Sequence, residues 1–363
     1  MMGREIAIAT LGAGIPVTLC ERNLSLGTEA IRQIRTEIES STLQGPHFIS
    51  GRNCPPMTLA SGYEELADAD LIIEAVFEDE DLKTSLFANL EPHLSAEAIL
   101  ASNSSSIPIT RLAGGLKNPR RMCGLHFCHP VSERPLVEVI RTEKTAVETV
   151  NRVSQFIQRL NLFPVLLEDR PGFLLNRLLV PYLNEALELL LEGVSAQTLR
   201  QAALDFGMPM SPMHHLDEFG IDVALGVGKT LYRAFPERIV PSELLIAMYK
   251  AGWRGRKSRG GFYASTHDNP STELRAEVVK LIQDRQRILT PHSEEDISLR
   301  LFAPLLLEAM RALEESIVED PTVIDDVLQN GLGMTSHFQG LWTWANAIGP
   351  GPILRWLESQ REL

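Results

Sequence analysis

The chain has 363 residues, of which 44% are hydrophobic, enough for roughly two or three domains with sizeable cores. Its formal net charge of −13 argues against nucleic acid as the main partner, and a polyanionic ligand would need a local basic patch. The cysteines Cys20, Cys54, Cys123 and Cys128 show neither a C-x-x-C motif nor zinc spacing, which predicts reduced thiols in a cytosolic-type protein.

The N-terminal segment carries part of a nucleotide-binding pattern. Residues 2–9 predict a helix, and residues 15–22 predict a short strand that closes on Glu21. In a dinucleotide-binding unit, a first strand and the motif G-x-G-x-x-G lead into such a helix, and an acid about 20 residues later binds the ribose hydroxyls. Gly3 matches the last glycine and Glu21 the acid, whereas the first strand and the first two glycines are absent. Two interpretations stay open: a fragment of a longer protein, or a naturally shortened and impaired enzyme.

Helical and strand patterns then alternate, as in a Rossmann-type α/β domain. We predict helices over 24–39, 63–70, 82–90 and 145–160, strands over 71–76, 98–101, 136–140 and 161–167, and a loop over 45–56; residues 122–127 form a further apolar segment. The absent first strand is central in a sheet of order 3-2-1-4-5-6, so its neighbours would lack a pairing partner.

Residues 102–138 form the most informative stretch. Strand alternation places Glu138 on the same face as Leu136 and Ile140, and an ionised carboxylate on an apolar face needs a partner. His126, within an apolar segment, is the natural candidate. A histidine–carboxylate pair fixes the imidazole tautomer and makes a general base that works near neutral pH. From these residues alone, a purely structural pair is the alternative.

The second half of the chain is predicted to be helical beyond the turn at Pro171-Gly172. Residues 176–186 parallel residues 298–309, and both copies run on to a glycine-methionine turn, at Gly207-Met208 and within 331–334. This pattern predicts an internal repeat of two helical modules, with Asp268 to Ser271 as the linker.

Several motifs resemble those of the L-3-hydroxyacyl-CoA dehydrogenases. That family's S-N-T-S-S stands here as Ser102 to Ser106, its L-H-F-F-N/S-P as Leu125 to Pro130, and its L-V-E-V as Leu136 to Val139. Its D-x-P-G-F-x-x-N-R is similar to Asp169 to Arg177, and its G-K/R-K-T/S-G-x-G-F-Y to Gly255 to Tyr263. The similarity covers nearly the whole chain, which looks like the dehydrogenase half of a multifunctional fatty-acid-oxidation α-subunit.

This resemblance implies the fold. We expect an NAD-binding α/β Rossmann-like domain at 1–168, with the first strand and G-x-G missing. Two all-α modules similar to the C-terminal domain of 6-phosphogluconate dehydrogenase should follow at 169–266 and 272–363.

The resemblance also implies the reaction, which is the oxidation of an L-3-hydroxyacyl-CoA to a 3-ketoacyl-CoA with NAD in the β-oxidation of fatty acids. His126 would remove the hydroxyl proton as a hydride leaves C3, and Glu138 would hold the imidazole. Ser105 and Asn176 would complete the catalytic set by binding the substrate oxygens. The alternatives are a turn serine and a helix-capping asparagine.

The cofactor is expected to be NAD, because Glu21 would repel the 2′-phosphate of NADP. The residues expected to bind it are Met2, Gly3, Glu21, Val76, Glu78, Lys83, Ser105, His129 and Lys257. For Lys83, a solvated lysine at a helix start is the alternative. His129 departs from the family, which more often has Asn or Ser there. Lys257, with Lys250 and Arg254, supplies the basic patch that a CoA ester requires.

Two apparent motifs fail. Residues 226–230 are similar to a P-loop, but Val223 stands where its first glycine is required. His214 and His215 lack H-E-x-x-H spacing, so we expect no metal site.

Two competing functions stay open: a non-catalytic CoA-binding subunit or scaffold that has lost the cofactor loop, and a hydroxy-acid dehydrogenase that acts on free acids. An acyl-CoA is the expected partner, and a homodimer and a thiolase subunit are further candidates. We expect no membrane insertion, since no apolar run reaches transmembrane length, and a cytoplasmic location.

Overall fold

The computed structural model describes residues 2–40, 55–258, 260–264, 273–287 and 291–361. The chain forms two compact units, Met1–Arg170 and Pro171–Leu363. Within the described ranges, we find no helix with the length and apolar character that a bilayer crossing requires. The predicted linker at Asp268 to Ser271, most of the predicted loop at 45–56, and Cys54 lie outside the described residues.

The first unit combines strands and helices. Its strands are β1 (Val17–Cys20), β2 (Met57–Ala60), β3 (Leu71–Glu74), β4 (Ile99–Ser102), β5 (Met122–Phe127), β6 (Leu136–Arg141) and β7 (Phe163–Glu168). Its helices are α1 (Met2–Gly12), α2 (Leu24–Ser40), α3 (Glu80–Leu90), α4 (Ile109–Leu112) and α5 (Val147–Arg159). The helix predicted over 63–70 is a single 3₁₀ turn, Tyr63–Leu66.

The strands form two sheets. In the small sheet β1 pairs with β2 in parallel. The large sheet has the order β3-β4-β5-β6-β7, in which β6 runs antiparallel to β5 and the other neighbours are parallel. Among the described residues no strand pairs β1 with β3, which agrees with the expected gap at the position of the first strand.

Helix α1 packs against both sheets. Ile6 belongs to a hydrophobic cluster with the buried side chains of β4, β5, β6 and α5. Ile8 and Leu11 belong to a second cluster with Ile34 of α2 and with residues of β1 and β2. Apolar residues on both sides of one helix therefore join the small sheet to the core of the large one.

The second unit is helical. Its helices are α6 (Leu175–Leu191), α7 (Ala196–Phe206), α8 (Pro212–Phe219), α9 (Ile221–Ala234), α10 (Glu243–Lys250), α11 (Ala276–Gln283), α12 (Glu294–Glu314), α13 (Thr322–Leu332), α14 (Leu341–Ile348) and α15 (Pro350–Arg361). The long helices α6 and α12 pack against each other, and each contains an internal proline, Pro181 or Pro304. The domain boundaries and the repeat stay predictions.

Candidate active site

The carboxyl ends of β3, β4 and β5 meet at one edge of the large sheet, because these strands are parallel. Glu78 lies just after β3, Ser105 just after β4, and His126 near the end of β5. Strand β6 is antiparallel to β5, so Glu138 returns to the same edge. Ligands bind in such crevices in open α/β sheets.

His126 and Glu138 form a buried pair across β5 and β6. The two residues lie directly opposite each other in the strand register, and Nδ1 of His126 is 2.5 Å from Oε2 of Glu138. Glu138 is 0% exposed and His126 is 7% exposed. His126 and Glu138 lie on paired neighbouring strands. Directly opposite positions bring two side chains of one face closest together.

Glu78 holds the serine loop that follows β4. Its Oε1 accepts hydrogen bonds from Ser104 Oγ at 2.6 Å and from the backbone N–H groups of Ser105 and Ser106 at 2.8 and 3.1 Å. Ser105 Oγ also lies 3.1 Å from this oxygen. One carboxylate oxygen therefore fixes the loop that carries Ser105.

Lys83 is not the solvated lysine of the alternative interpretation, which was wrong. The residue is 1% exposed, and its Nζ lies 3.1 Å from Oε1 of Glu74 and 2.9 Å from Oε2 of Glu78. Two carboxylates compensate the buried ammonium. Burial raises the pKa of Glu78, but the charge of Lys83 and the hydrogen bonds from Ser104 and Ser105 outweigh it, so this pKa lies below its ordinary value.

Glu74 is a residue that the sequence reasoning missed. It is buried at the end of β3, accepts a hydrogen bond from Ser102 Oγ at 2.6 Å, and accepts another from the backbone N–H of Val76 at 2.6 Å. The second bond turns the chain out of the strand, so β3 ends before Val76, which we predicted inside it. The signal was present: like Glu138, Glu74 is an acid within an apolar strand.

The segment after β5 is tied to α1 through Glu5. Nδ1 of His129 lies 2.8 Å from Oε1 of Glu5, and the backbone N–H of Val131 donates to Oε2 at 3.0 Å. Burial raises the pKa of Glu5, but the hydrogen bonds from His129 and Val131 lower it by a larger amount, so the pKa lies below its ordinary value. The histidine that departs from the family pattern therefore has a carboxylate partner that the sequence reasoning did not foresee.

Two buried thiols lie on β5 and just after it. Cys123 and Cys128 are buried, whereas Cys20, at the end of β1, is exposed. Burial raises the pKa of both buried thiols, and for Cys128 the negative charge of Glu138 raises it further.

Asn176 is the second residue of α6 and is buried. Leu174 occupies the N-cap position of this helix, with no side-chain capping bond. Asn176 is therefore not the N-cap, and the capping alternative was wrong.

The basic segment at 254–258 has acidic and aromatic partners. Nζ of Lys257 lies 2.6 Å from Oδ1 of Asp222, and the guanidinium of Arg254 lies 3.9 Å from the ring centroid of Tyr249. Asp222 compensates Lys257, so the predicted patch carries less net positive charge than its sequence indicates, whereas the neutral ring of Tyr249 leaves the charge of Arg254 unchanged. Arg259 lies outside the described residues.

Asp217 anchors the chain just after this basic segment. Its carboxylate accepts hydrogen bonds from the backbone N–H groups of Phe262 and Tyr263 at 2.8 and 3.0 Å. Burial raises the pKa of Asp217 to about 6, because these bonds and two more distant arginines compensate it only in part. Its role here is to position the loop.

The two rejected motifs have structural roles. Residues 226–230 lie inside α9, so they form no loop between a strand and a helix. The ring of His214 stacks on Tyr263 with 3.9 Å between centroids, and its Nδ1 lies 2.8 Å from Ser211 Oγ. In the described part of the chain, no group of three or more His, Cys, Asp or Glu side chains could hold a metal ion.

Comparison with known proteins assigns the chain to a family. Residues 1–170 match the model for the NAD-binding domain of 3-hydroxyacyl-CoA dehydrogenase, and residues 172–265 match the model for its C-terminal domain. The chain belongs to the 3-hydroxyacyl-CoA dehydrogenase family. It is therefore an NAD-dependent oxidoreductase, and the predicted fold class, enzyme class and cofactor are confirmed.

Solved structures of this family are similar over different lengths of the chain. FadB2 of M. tuberculosis is 35% identical over 73% of this chain and 95% of its own, with a TM-score of 0.70. The 3-hydroxybutyryl-CoA dehydrogenase of Escherichia coli K12 is 25% identical over 99% of this chain and 92% of its own, with a TM-score of 0.80. The dehydrogenase part of multifunctional enzyme 1 from C. elegans is 26% identical over 92% of this chain and 76% of its own, with a TM-score of 0.63.

The residues present fit two ends of NAD. Glu21 directly follows β1, where a carboxylate can bind ribose hydroxyls, and its Oε1 accepts the backbone N–H of Asn23 at 3.0 Å. A Cβ at Gly3 would lie 3.5 Å from Cβ of Ala75, so α1 approaches the end of β3 closely there. The edge with His126 fits the reacting end.

Proposed function

We propose that this dehydrogenase oxidises L-3-hydroxyacyl-CoA to 3-ketoacyl-CoA in fatty-acid β-oxidation, with His126 as the general base. The single observation that supports this most is the 2.5 Å approach of His126 Nδ1 to Glu138 Oε2 in a buried setting. A buried carboxylate orients the ring and stabilises the imidazolium that forms when the ring accepts a proton.

The proton path follows from this orientation. Since Nδ1 binds Glu138, Nε2 is the nitrogen that takes the proton from the 3-hydroxyl group of the substrate. The O–H electrons form the C3 carbonyl as the C3–H bond breaks with its electron pair. NAD, when bound, supplies the acceptor for that hydride. The carboxylate of Glu138 compensates the positive ring, so no isolated charge is buried.

Two further residues would bind the substrate oxygens. Ser105 stands on the loop that Glu78 fixes, which supports a role in orienting the 3-oxygen. Asn176 stands in the first turn of α6, and its carboxamide can donate to a carbonyl oxygen. These assignments rest on the match with the family motifs.

The cofactor contacts are proposed in three groups. Glu21 would bind the ribose, and Met2 and Gly3 in the first turn of α1 would lie near the phosphates. Val76, Glu78, Lys83, Ser105 and His129 would surround the nicotinamide end. Lys257 completes the proposed contacts. The close bonding of Lys83 to Glu74 and Glu78 supports an indirect role for Lys83, through Glu78.

A non-catalytic CoA-binding scaffold is the second candidate function. One observation favours it: among the described residues β1 does not pair with β3, so the sheet is interrupted next to the proposed ribose end. Such an interruption would weaken a dinucleotide site. The use of free hydroxy acids, a thiolase partner, a homodimer and the cytoplasmic location stay predictions.

The experiment that tests the proposal is the NADH-dependent reduction of acetoacetyl-CoA by the full chain, followed as loss of NADH absorbance. The wild type should reduce the CoA ester and not free acetoacetate. His126→Ala should lower the rate by about 10²- to 10⁴-fold, the usual contribution of a general base. His93→Ala is the matched control, because His93 belongs to the same unit but not to the proposed site. Its ring centroid lies 6.1 Å from that of Tyr63.

Each candidate function predicts a different result. A scaffold would bind the CoA ester without turnover, even when fluorescence titration shows that NADH binds. Equal rates for the wild type and His126→Ala would reject the base assignment. Reduction of free acetoacetate at the rate of the CoA ester would favour a hydroxy-acid dehydrogenase.

A further inference from the structure

Two clusters of ion pairs join helices α6 and α12. In each cluster, which we call an arginine clasp, one arginine binds two glutamates of the other helix or of the turn that follows it. Arg177 of α6 binds Glu308 and Glu315, and Arg300 of α12 binds Glu185 and Glu192. One displacement along the sequence carries Arg177 to Arg300, Glu185 to Glu308 and Glu192 to Glu315. Each arginine therefore binds the acid pair of the other copy. This reciprocity supports the internal repeat.

The first clasp is the more deeply buried. Nε and Nη2 of Arg177 donate to Oε2 of Glu308 at 3.0 and 2.8 Å, and Nη1 donates to Oε2 of Glu315 at 2.7 Å. Arg177 is 0% exposed, and its guanidinium lies 4.8 Å from the ring centroid of Phe235. Arg238 also binds Glu315, at 2.7 Å. A fully buried guanidinium with these partners has its position strongly restricted.

In the second clasp the same three nitrogen types of the arginine are the donors. Nε of Arg300 donates to Oε1 of Glu185 at 2.7 Å, Nη1 donates to Oε2 of Glu192, and Nη2 donates to Oε1 of Glu192 at 3.0 Å. Nε2 of His292 lies 2.8 Å from Glu192, as Arg238 lies near Glu315. This clasp is partly exposed. The two acids Glu315 and Glu192 therefore hold matching places, and each has one further partner, Arg238 or His292.

The two clasps differ in the residue before the arginine. Asn176 precedes Arg177, whereas Leu299 precedes Arg300, so only the first copy carries the polar residue. The first turn of α6 lacks a side-chain cap, and the chain enters it through two left-handed residues, Gly172 and Phe173. A left-handed non-glycine residue persists only when its surroundings hold it. The side chain that directly follows Asn176 ties this turn to α12.

We propose that Arg177 is a positioning residue that fixes Asn176, and that its anchor is supplied by Glu308 and Glu315 of the second helical copy. The second copy thereby supports the chemistry of the first, although it carries no equivalent of Asn176. This inference rests on the proposed role of Asn176 as a substrate-binding residue.

The test compares Glu315→Gln with Glu192→Gln in the full chain. Both changes remove the second carboxylate of a clasp and leave the first in place. Glu315→Gln should lower kcat for acetoacetyl-CoA reduction about tenfold with an unchanged KM for NADH, because small displacements of an orienting group are costly. Glu192→Gln should leave kcat within about twofold, because Arg300 does not adjoin a substrate-binding residue. Glu315→Asp, which keeps the charge, should recover part of the loss.

A second measurement does not depend on turnover. Amide hydrogen exchange over residues 173–179 should become faster in Glu315→Gln and stay at the wild-type rate in Glu192→Gln. Equal kcat in the two variants, or unchanged exchange over 173–179 in Glu315→Gln, would overturn the inference. A wild type that binds NADH and does not reduce the substrate would count against the proposed function instead, and the exchange result would still decide the role of the clasp.

Discussion

Glu138 and Glu78 are two acids at the same edge of the large sheet, and they are held in different ways. Glu138 is fully buried, and its carboxylate lies 2.5 Å from an imidazole nitrogen. Glu78 is partly exposed and binds an ammonium and the backbone N–H groups of Ser105 and Ser106. The partner of Glu138 is an imidazole, the side chain that most often serves as a general acid or base, whereas the partners of Glu78 are an ammonium and backbone amides.

The difference separates two tasks within one site. A carboxylate beside a titratable ring can support proton transfer, because it stabilises the charge that appears on the ring. A carboxylate bound to a lysine and to backbone amides stays an anion and fixes a loop. The lowered pKa of Glu78 agrees with this second task, since the charge of Lys83 and the hydrogen bonds outweigh burial.

The largest expected effect comes from removing the lysine that compensates Glu78. Lys83→Met would leave Glu74 and Glu78 without their shared cation, and breaking a buried ion pair in this way typically costs about 3–5 kcal/mol. Urea unfolding should show this loss. The control is Lys144→Met, an exposed lysine of the same unit, which should change the free energy of unfolding by less than about 0.5 kcal/mol. A loss below about 1 kcal/mol for Lys83→Met would mean that the lysine does not compensate the acids.

Replacing the partner of the imidazole should act on rate rather than on stability. Glu138→Gln keeps the shape but removes the charge that stabilises the protonated ring, so kcat should fall by about 10²-fold or more. The pH–rate profile should change as well, and initial rates measured at several pH values would detect both effects. Glu143→Gln, at an exposed acid in the turn after β6, is the control. A wild-type profile in Glu138→Gln would contradict the assignment of the pair.

The corresponding change at Glu78 should act on binding. Glu78→Gln keeps an oxygen that can accept the backbone N–H groups but loses its charge, and a hydrogen bond to a charged group contributes about 1.5–3 kcal/mol. The Kd for NADH should therefore rise about tenfold in fluorescence titration, with kcat reduced much less than in Glu138→Gln. If Glu78→Gln lowered kcat and left the Kd unchanged, the division of tasks drawn above would be wrong.

Acidification gives the smallest effect and extends the comparison to Asp217. The pKa of Glu78 is lowered from 4.5, so its stabilising contribution is present above that value and is lost as the pH falls through its folded pKa. The pKa of Asp217 is raised from 3.8 to about 6, so its contribution is greatest below 3.8 and is lost as the pH rises towards 6. Urea unfolding across this range should show that the difference between wild type and Glu78→Gln shrinks on acidification. The free energy of unfolding of the wild type minus that of Asp217→Asn should instead rise on acidification. Parallel curves for the two comparisons would contradict the assigned shifts.

Strand alternation was sufficient to predict that Glu138 needs a partner and that His126 is near it. Both residues sit in apolar strands, and the period of two in a strand fixes the face of each side chain. The register that places them directly opposite was not predictable, because it depends on how β6 returns from the loop after β5. The gap between the two sheets was predictable from the absent first strand.

Lys83 and Arg177 were not interpretable from the sequence because the packing of separate elements brings their partners to them. A lysine near a helix start is usually solvated, and only the position of Glu74 on β3 makes burial of Lys83 favourable. The two arginine clasps required α6 to pack on α12, which the repeat alone does not specify. Asn176 was predicted through its motif, whereas its place as the second residue of α6, after the cap position, came only from the structure.

The burial of two thiols near the pair of His126 and Glu138 has a practical consequence. Alkylating reagents attack thiolates, and burial with a raised pKa withholds Cys123 and Cys128 from them. Among the cysteines in the described residues, Cys20 is the exposed one, directly before Glu21. Of these three thiols, a maleimide dye should therefore label Cys20 first, and its emission would report on occupancy of the ribose end while the imidazole chemistry stays untouched.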